Sequence, residues 1–194
     1  MILLYILLFP AWLRAQPPAE MKTLLGEDAH ISAFGSIRGG VMPFVGSYRG
    51  HAGGDLALVL NNFFFGGYGS RSIEFHSLDH RDDNYYEDKQ LGLSHGGIFT
   101  GVSFLSRRMV QYSVTTDVGW GYLLLRDNTT REILSRDRIN LIAPALQLKL
   151  NVTPFVQLCF GVAYQYLFGV DFHYMENVNF QGFASSLSVR FGWF

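Results

Sequence analysis

From Phe183 to Phe194 the chain alternates without a break. Phe183, Ser185, Leu187, Val189, Phe191 and Trp193 fall on one face of an extended segment, and Ala184, Ser186, Ser188, Arg190 and Gly192 fall on the other. Strict period-2 alternation marks a β-strand whose two faces meet different surroundings. In a soluble sandwich the apolar face would be the core. Here the other face is small and polar enough to be an interior, and the apolar face reads as lipid contact. The pattern recurs. Val110, Tyr112, Val114, Thr116, Val118, Trp120, Tyr122 and Leu124 alternate with Gln111, Ser113, Thr115, Asp117, Gly119 and Gly121. Ile142 to Leu150 and Val156 to Phe168 behave in the same way.

These runs are long. An ordinary globular strand has about 5–6 residues, whereas a tilted strand needs about 9–11 to cross a bilayer. Strands are expected at 31–46, 50–60, 63–75, 91–105, 109–124, 138–150, 154–168 and 179–194. Short connections are expected at Ser47-Tyr48-Arg49, Asn61-Asn62, Ser106-Arg107-Arg108 and Asn151-Val152-Thr153, and longer ones at His76–Gln90, Leu125–Asp137 and Val170–Val178. After the first connection, short turns and long loops alternate. An even strand number puts both termini on one side. The predicted fold is all-β: an eight-stranded antiparallel up-and-down transmembrane β-barrel over 31–194. Trp120, Tyr122, Tyr164, Tyr166, Phe168, Phe191 and Trp193 then form two aromatic belts.

Composition fits that reading. Of 194 residues, 48% are hydrophobic, 15% aromatic and 16% charged, and the formal net charge of −1 offers no electrostatic reason to bind nucleic acid. The single Cys159 allows no intrachain disulfide and is read as a small buried residue facing the interior. Ile2 to Trp12 is an apolar stretch followed by Leu13-Arg14-Ala15-Gln16. It is short for a spanning helix and fits a signal-peptide core cleaved after Ala15, although no basic residue precedes it. Residues 16–30 are then a periplasmic N-terminal segment. No later stretch of about 18 apolar residues suggests a spanning helix.

Three irregular places stand out. Arg38, Gly39-Gly40 and Pro43 disturb the first strand, where a bulge or kink is expected. Phe63-Phe64-Phe65 offers an apolar residue to both faces. Pro144 sits on the lipid-facing side of a strand, so a bulge or a missing ladder bond must accommodate it.

Ala52-Gly53-Gly54, Asn61-Asn62, Gly66-Gly67-Tyr68-Gly69, Gly96-Gly97, Asn151-Val152-Thr153 and Phe191-Gly192-Trp193-Phe194 occur in a particular order and spacing. Over roughly residues 23–194 the chain resembles the small outer-membrane β-barrel proteins of Bacteroidota, which are of the OmpA/OmpX type. The resemblance implies an outer-membrane location in a Gram-negative bacterium. The terminal aromatic resembles the signal read by the barrel-assembly machinery. Relatives of this kind often carry acidic residues inward on the fourth strand, where this chain has Phe99 and Gly101. The resemblance carries fold and compartment, not an activity.

A barrel of eight strands is just wide enough for side chains to fill it. Arg38, His51, Asp55, Arg71, Gln111, Asp117, Lys149 and Arg190 are expected inside. Confined charges must pair, so Arg38, Asp55, Asp117, Lys149 and Arg190 are expected to form a lumen polar network that acts as a structural plug. No catalytic constellation stands out and no cofactor is expected. An acidic loop holds Glu74, His76, Asp79, His80, Asp82, Asp83, Glu87 and Asp88. Of these, His76, Asp79, His80, Asp82 and Asp83 are candidate metal ligands, although their spacing matches neither an EF-hand loop nor a His-Glu-x-x-His helix. Two alternative functions remain: a lipid A-modifying enzyme using His95 with Ser94 or His173 with Glu176, and a small channel. The main reading is a monomer with a structural or surface-interaction role. Its expected partners are outer-membrane lipid and lipopolysaccharide, with the assembly machinery during insertion.

Overall fold

The structure is a computed structural model of the chain, and it describes residues 31–73, 76–77, 89–105, 108–127, 129–130, 132–171 and 176–192. The expected signal segment, residues 16–30, Trp193 and Phe194 lie outside the described residues, as does most of the acidic loop.

Nine strands form one antiparallel sheet: β1 (Ile31–Phe44), β2 (Ser47–Leu60), β3 (Phe63–Ser72), β4 (His76–Ser77), β5 (Lys89–Phe104), β6 (Val110–Asp127), β7 (Ile133–Thr153), β8 (Val156–Phe168) and β9 (Gly182–Gly192). β4 pairs with Gln90 and Leu91, farther along the edge of β5 that β3 occupies, so the two share one stave. β1 pairs with β9, which closes the ring. The result is an eight-stranded antiparallel up-and-down β-barrel, and closure leaves no open sheet edge.

Alternation places the side chains. On β6, Gln111, Ser113, Thr115 and Asp117 are buried in the interior, while Val110, Tyr112, Val114, Val118 and Trp120 are exposed. Leu146, Leu148, Val162 and Leu187 are also exposed on the outside. At one end lie the turns 61–62, 105–109 and 154–155, together with Ile31 and Gly192. At the other lie Val45-Gly46 and the strand ends at Ser72, Asp127 and Phe168, from which the remaining connections leave. The first is the turn end of the barrel and the second its loop end. Among the described residues no helix is long and apolar enough to cross a membrane; a one-turn 3-10 helix occupies Asn177–Phe180.

Several expectations need correction. The first turn is Val45-Gly46, both at positive φ (46° and 73°), a two-residue geometry that matches strand twist. Valine is strained there, and a bond from Val45 N to Asn179 O of 2.7 Å holds it. β1 carries no bulge. Its register with β2 runs unbroken from Ile31↔Leu60 to Phe44↔Ser47. Gly40 lets β9 come close instead, since a Cβ there would lie 2.0 Å from Ser185 O. Irregularities fall at Leu125/Arg126 and Asn151/Thr153. β6 and β7 run on to Asp127 and from Ile133, so the loop expected at Leu125–Asp137 shortens to 128–132. At Pro144 the β7–β8 ladder passes from Ile142↔Tyr166 to Ala145↔Ala163 with no pairing between. The missing rungs accommodate the ring, which has no N–H to donate.

Candidate functional site in the barrel interior

The inward side chains form three layers. The middle one is charged and is built around Arg38 of β1. Its Nη2 lies 3.0 Å from Asp55 Oδ2 on the neighbouring β2, and its Nη1 lies 3.0 Å from Asp117 Oδ2 on β6. In the closed ring β6 is four staves from β1 in either direction. The Arg38–Asp117 pair therefore straps the barrel across its diameter. Asp55 Oδ1 also accepts the Ser36 hydroxyl. One planar guanidinium thus serves two carboxylates, which suits its fixed fork of donors.

A cavity of about 60 Å³ opens beside this group, lined by Arg38, His51, Tyr68, His95 and Asp117. His51 Nδ1 is 3.2 Å from Ser70 Oγ. Tyr68 and His95 meet edge to face at 5.6 Å. Among the described residues the Tyr68 hydroxyl and His95 Nδ1 have no partner. The wall is mixed, with Met42, Leu141 and Ala143 beside the polar groups, and the volume has room for a few waters, each needing at least about 10–15 Å³. It is too small for an organic solute.

Toward the turn end the charge is cationic. Lys149 Nζ donates to Ser103 Oγ at 2.8 Å, and Arg190 Nη2 donates to Gln147 Oε1 at 2.7 Å. Neither has a carboxylate within ion-pair distance among the described residues. Of the three cationic candidates inside the barrel, Arg38 takes both aspartates, and Lys149 and Arg190 bond to Ser103 and Gln147 instead. Aromatic faces take the place of carboxylates. Lys149 Nζ sits 4.5 Å from the Phe64 ring centre, and the Arg190 guanidinium sits 4.5 Å from that of Phe34. Phe34, Phe64 and Phe99 pack on one another at 6.0–6.4 Å. Ring quadrupoles attract desolvated cations. Phe99 occupies an inward, buried position on β5. This platform is missing from the sequence reading, although Phe64 at the centre of the triple phenylalanine was its one visible sign.

The loop end of the lumen is apolar. Met42, Phe44, Leu91, Leu93, Leu123, Leu125, Ile139, Leu141, Ala143, Leu167 and Phe180 form one buried cluster. Phe180 comes from the one-turn helix and meets Phe44 edge to face at 5.3 Å. Gln165 Nε2 donates to Phe180 O at 3.0 Å, and Glu176 with Asn179 closes a capping box. Part of the expected exposed loop 170–178 therefore leads into a lid. The signal was in the sequence as Tyr122-Leu123-Leu124-Leu125, where both faces turn apolar.

Arg71 was expected inside and is not. Phe64 is the inward residue of the triple phenylalanine, so Phe63, Phe65 and, by parity, Arg71 face out. Ser94 is exposed while its neighbour His95 points inward. Adjacent strand residues face opposite ways, so these two cannot form a nucleophile–base pair. His173 lies outside the described residues. Of the candidate metal ligands, Asp79, His80, Asp82 and Asp83 also lie outside them, and only the backbone pairing of His76 is described.

No protein-family model matches the chain, and no curated protein matches it. Solved structures do. Neisserial surface protein A is similar with a TM-score of 0.59 and 13% identity, over 85% of this chain and 99% of that one. A major outer membrane protein from Thermus thermophilus gives 0.58 and 11%, over 84% and 99%. Ail, the attachment invasion locus protein of Yersinia pestis, solved with the heparin analogue sucrose octasulfate, gives 0.54 and 11%, over 84% and 98%. At such identities the likeness is one of fold: this chain has the architecture of small outer-membrane β-barrel proteins.

Proposed function

We propose that this chain is a non-conducting outer-membrane barrel of a Gram-negative bacterium with a structural or surface-interaction role. The observation that carries the reading is the inverted placement of apolar residues. Ile37, Leu56, Ile98, Val114, Leu146 and Leu187 stand exposed around the outside, while the lumen is straddled by an ion-paired strap and capped by an apolar plug. Such an exterior needs lipid, and such an interior offers a solute no path. Any partner then meets the connections at the loop end. The reading includes membership of the Bacteroidota barrel family, removal of residues 1–15, a monomeric state, lipopolysaccharide as neighbour and recognition by the assembly machinery.

The test is reconstitution. The protein should float with phosphatidylcholine vesicles and give no steady single-channel conductance in planar bilayers. Steady conductance would refute the plug, and failure to insert would refute the membrane reading. Deleting residues 79–88 should leave the barrel folded and abolish any partner found by cross-linking. N-terminal sequencing of membrane-extracted protein should begin near Gln16.

A further inference from the structure

The outer face of β7 changes character abruptly. From Leu150 through Leu148, Leu146 and Pro144 to Ile142 it is apolar; Asn140, Arg138 and Arg136 follow at the same parity. The five apolar positions cover nine residues, about the length a tilted strand needs to cross the hydrocarbon. Asn140 pairs across to Trp120 and Phe168, and Arg138 to Tyr122. The switch therefore falls at the aromatic belt of the loop end, where such residues sit at headgroup level.

The two arginines are organised. The Arg136 guanidinium lies 3.4 Å from the centre of the Tyr122 ring, and Arg138 sits directly across from Tyr122 on the neighbouring strand. Both are exposed, and among the described residues neither has a carboxylate within ion-pair distance. Asp137 lies between them in sequence but faces the other way, and its Oδ2 accepts Asp171 N at 2.5 Å. Arg71 faces out in the same cross-strand row, reached through Ser94 and Tyr122.

We propose that Tyr122, Arg136 and Arg138 form a binding site for the phosphate of an outer-leaflet lipid headgroup. The charge sign fits an anion, and a guanidinium fork fits phosphate in a bidentate way. Stacking on Tyr122 fixes one arginine in advance and so reduces the ordering cost of binding. The position, one rung beyond Trp120, is where a lipid phosphate meets the barrel wall. This inference rests on the membrane reading above.

The full chain, refolded in zwitterionic micelles, is titrated with diphosphoryl lipid A and followed by native mass spectrometry. The wild type should retain the lipid, and the Arg136→Gln/Arg138→Gln variant should bind it at least about tenfold more weakly, the loss expected from one or two charge-assisted hydrogen bonds. Arg108→Gln at the turn end should bind as the wild type does. On unmodified protein, retention should fall as salt rises. Equal retention by the double variant, equal binding of phosphatidylcholine, or no response to salt would overturn the proposal. Displacement by an equal concentration of inorganic phosphate would assign the site to free phosphate and overturn the lipid assignment. Flotation with pure phosphatidylcholine vesicles separates the two readings. A wild type that fails to insert refutes the membrane reading, and one that inserts without preferring lipid A refutes only this site.

Discussion

The two halves of the lumen solve the same packing problem with different chemistry. Both are lined by alternate residues of the same eight staves. At the loop end the fill is aliphatic: Leu91, Leu123, Ile139 and Leu167 are 0% exposed, and Phe180 is brought in from a connection to complete the cluster. At the turn end the fill is Lys149, Arg190, Gln147, Gln157 and Ser113, supported by Phe34 and Phe64. Arg38 with its two aspartates stands between. The difference teaches that a small barrel does not need a uniformly polar interior. The turn end resolves buried cations with aromatic faces and amides, which offsets desolvation without adding carboxylates.

The comparison is open to test by unfolding in urea, where the change in midpoint reports stability. The largest effect is expected at the junction. Arg38→Met strands two buried carboxylates and should cost about 3–5 kcal/mol; a cost below about 1 kcal/mol would mean the strap does not hold the halves together. In the apolar half, Leu123→Ala should cost about 2–5 kcal/mol, because the closed ring cannot collapse onto the space left. A much smaller loss would show that the plug is loosely packed. The wall itself is tested by Leu146→Arg, which in vesicles should cost about 2–4 kcal/mol near the bilayer midplane and far less in micelles. The smallest change is expected in the cationic half. Lys149→Met keeps the contact with Phe64 and removes one hydrogen bond to Ser103, so its cost should stay at or below about 1 kcal/mol. If it equals the Arg38→Met loss, the aromatic platform is not what resolves the charge.

Alternation by itself determined which residues face in and which face out on β6, β8 and β9, because a period of two leaves no other choice once one face is apolar. It also determined the strand number and the inward position of Asp55 and Asp117. It failed where local signals conflict. Arg71 was misplaced because Phe63-Phe64-Phe65 leaves parity undecided, and pairing with β2 and β5 settles it. Val45-Gly46 does not read as a turn, since what stabilises it is Asn179, far along the chain. Arg136 was assigned to a loop because its outward neighbours are no longer apolar, although the alternation continues through it. Partner choice inside the lumen lay beyond the sequence altogether. Arg38 meets Asp117 only because closure puts β1 and β6 on opposite sides of a ring narrow enough for one side chain to cross, and that width is a property of eight staves acting together.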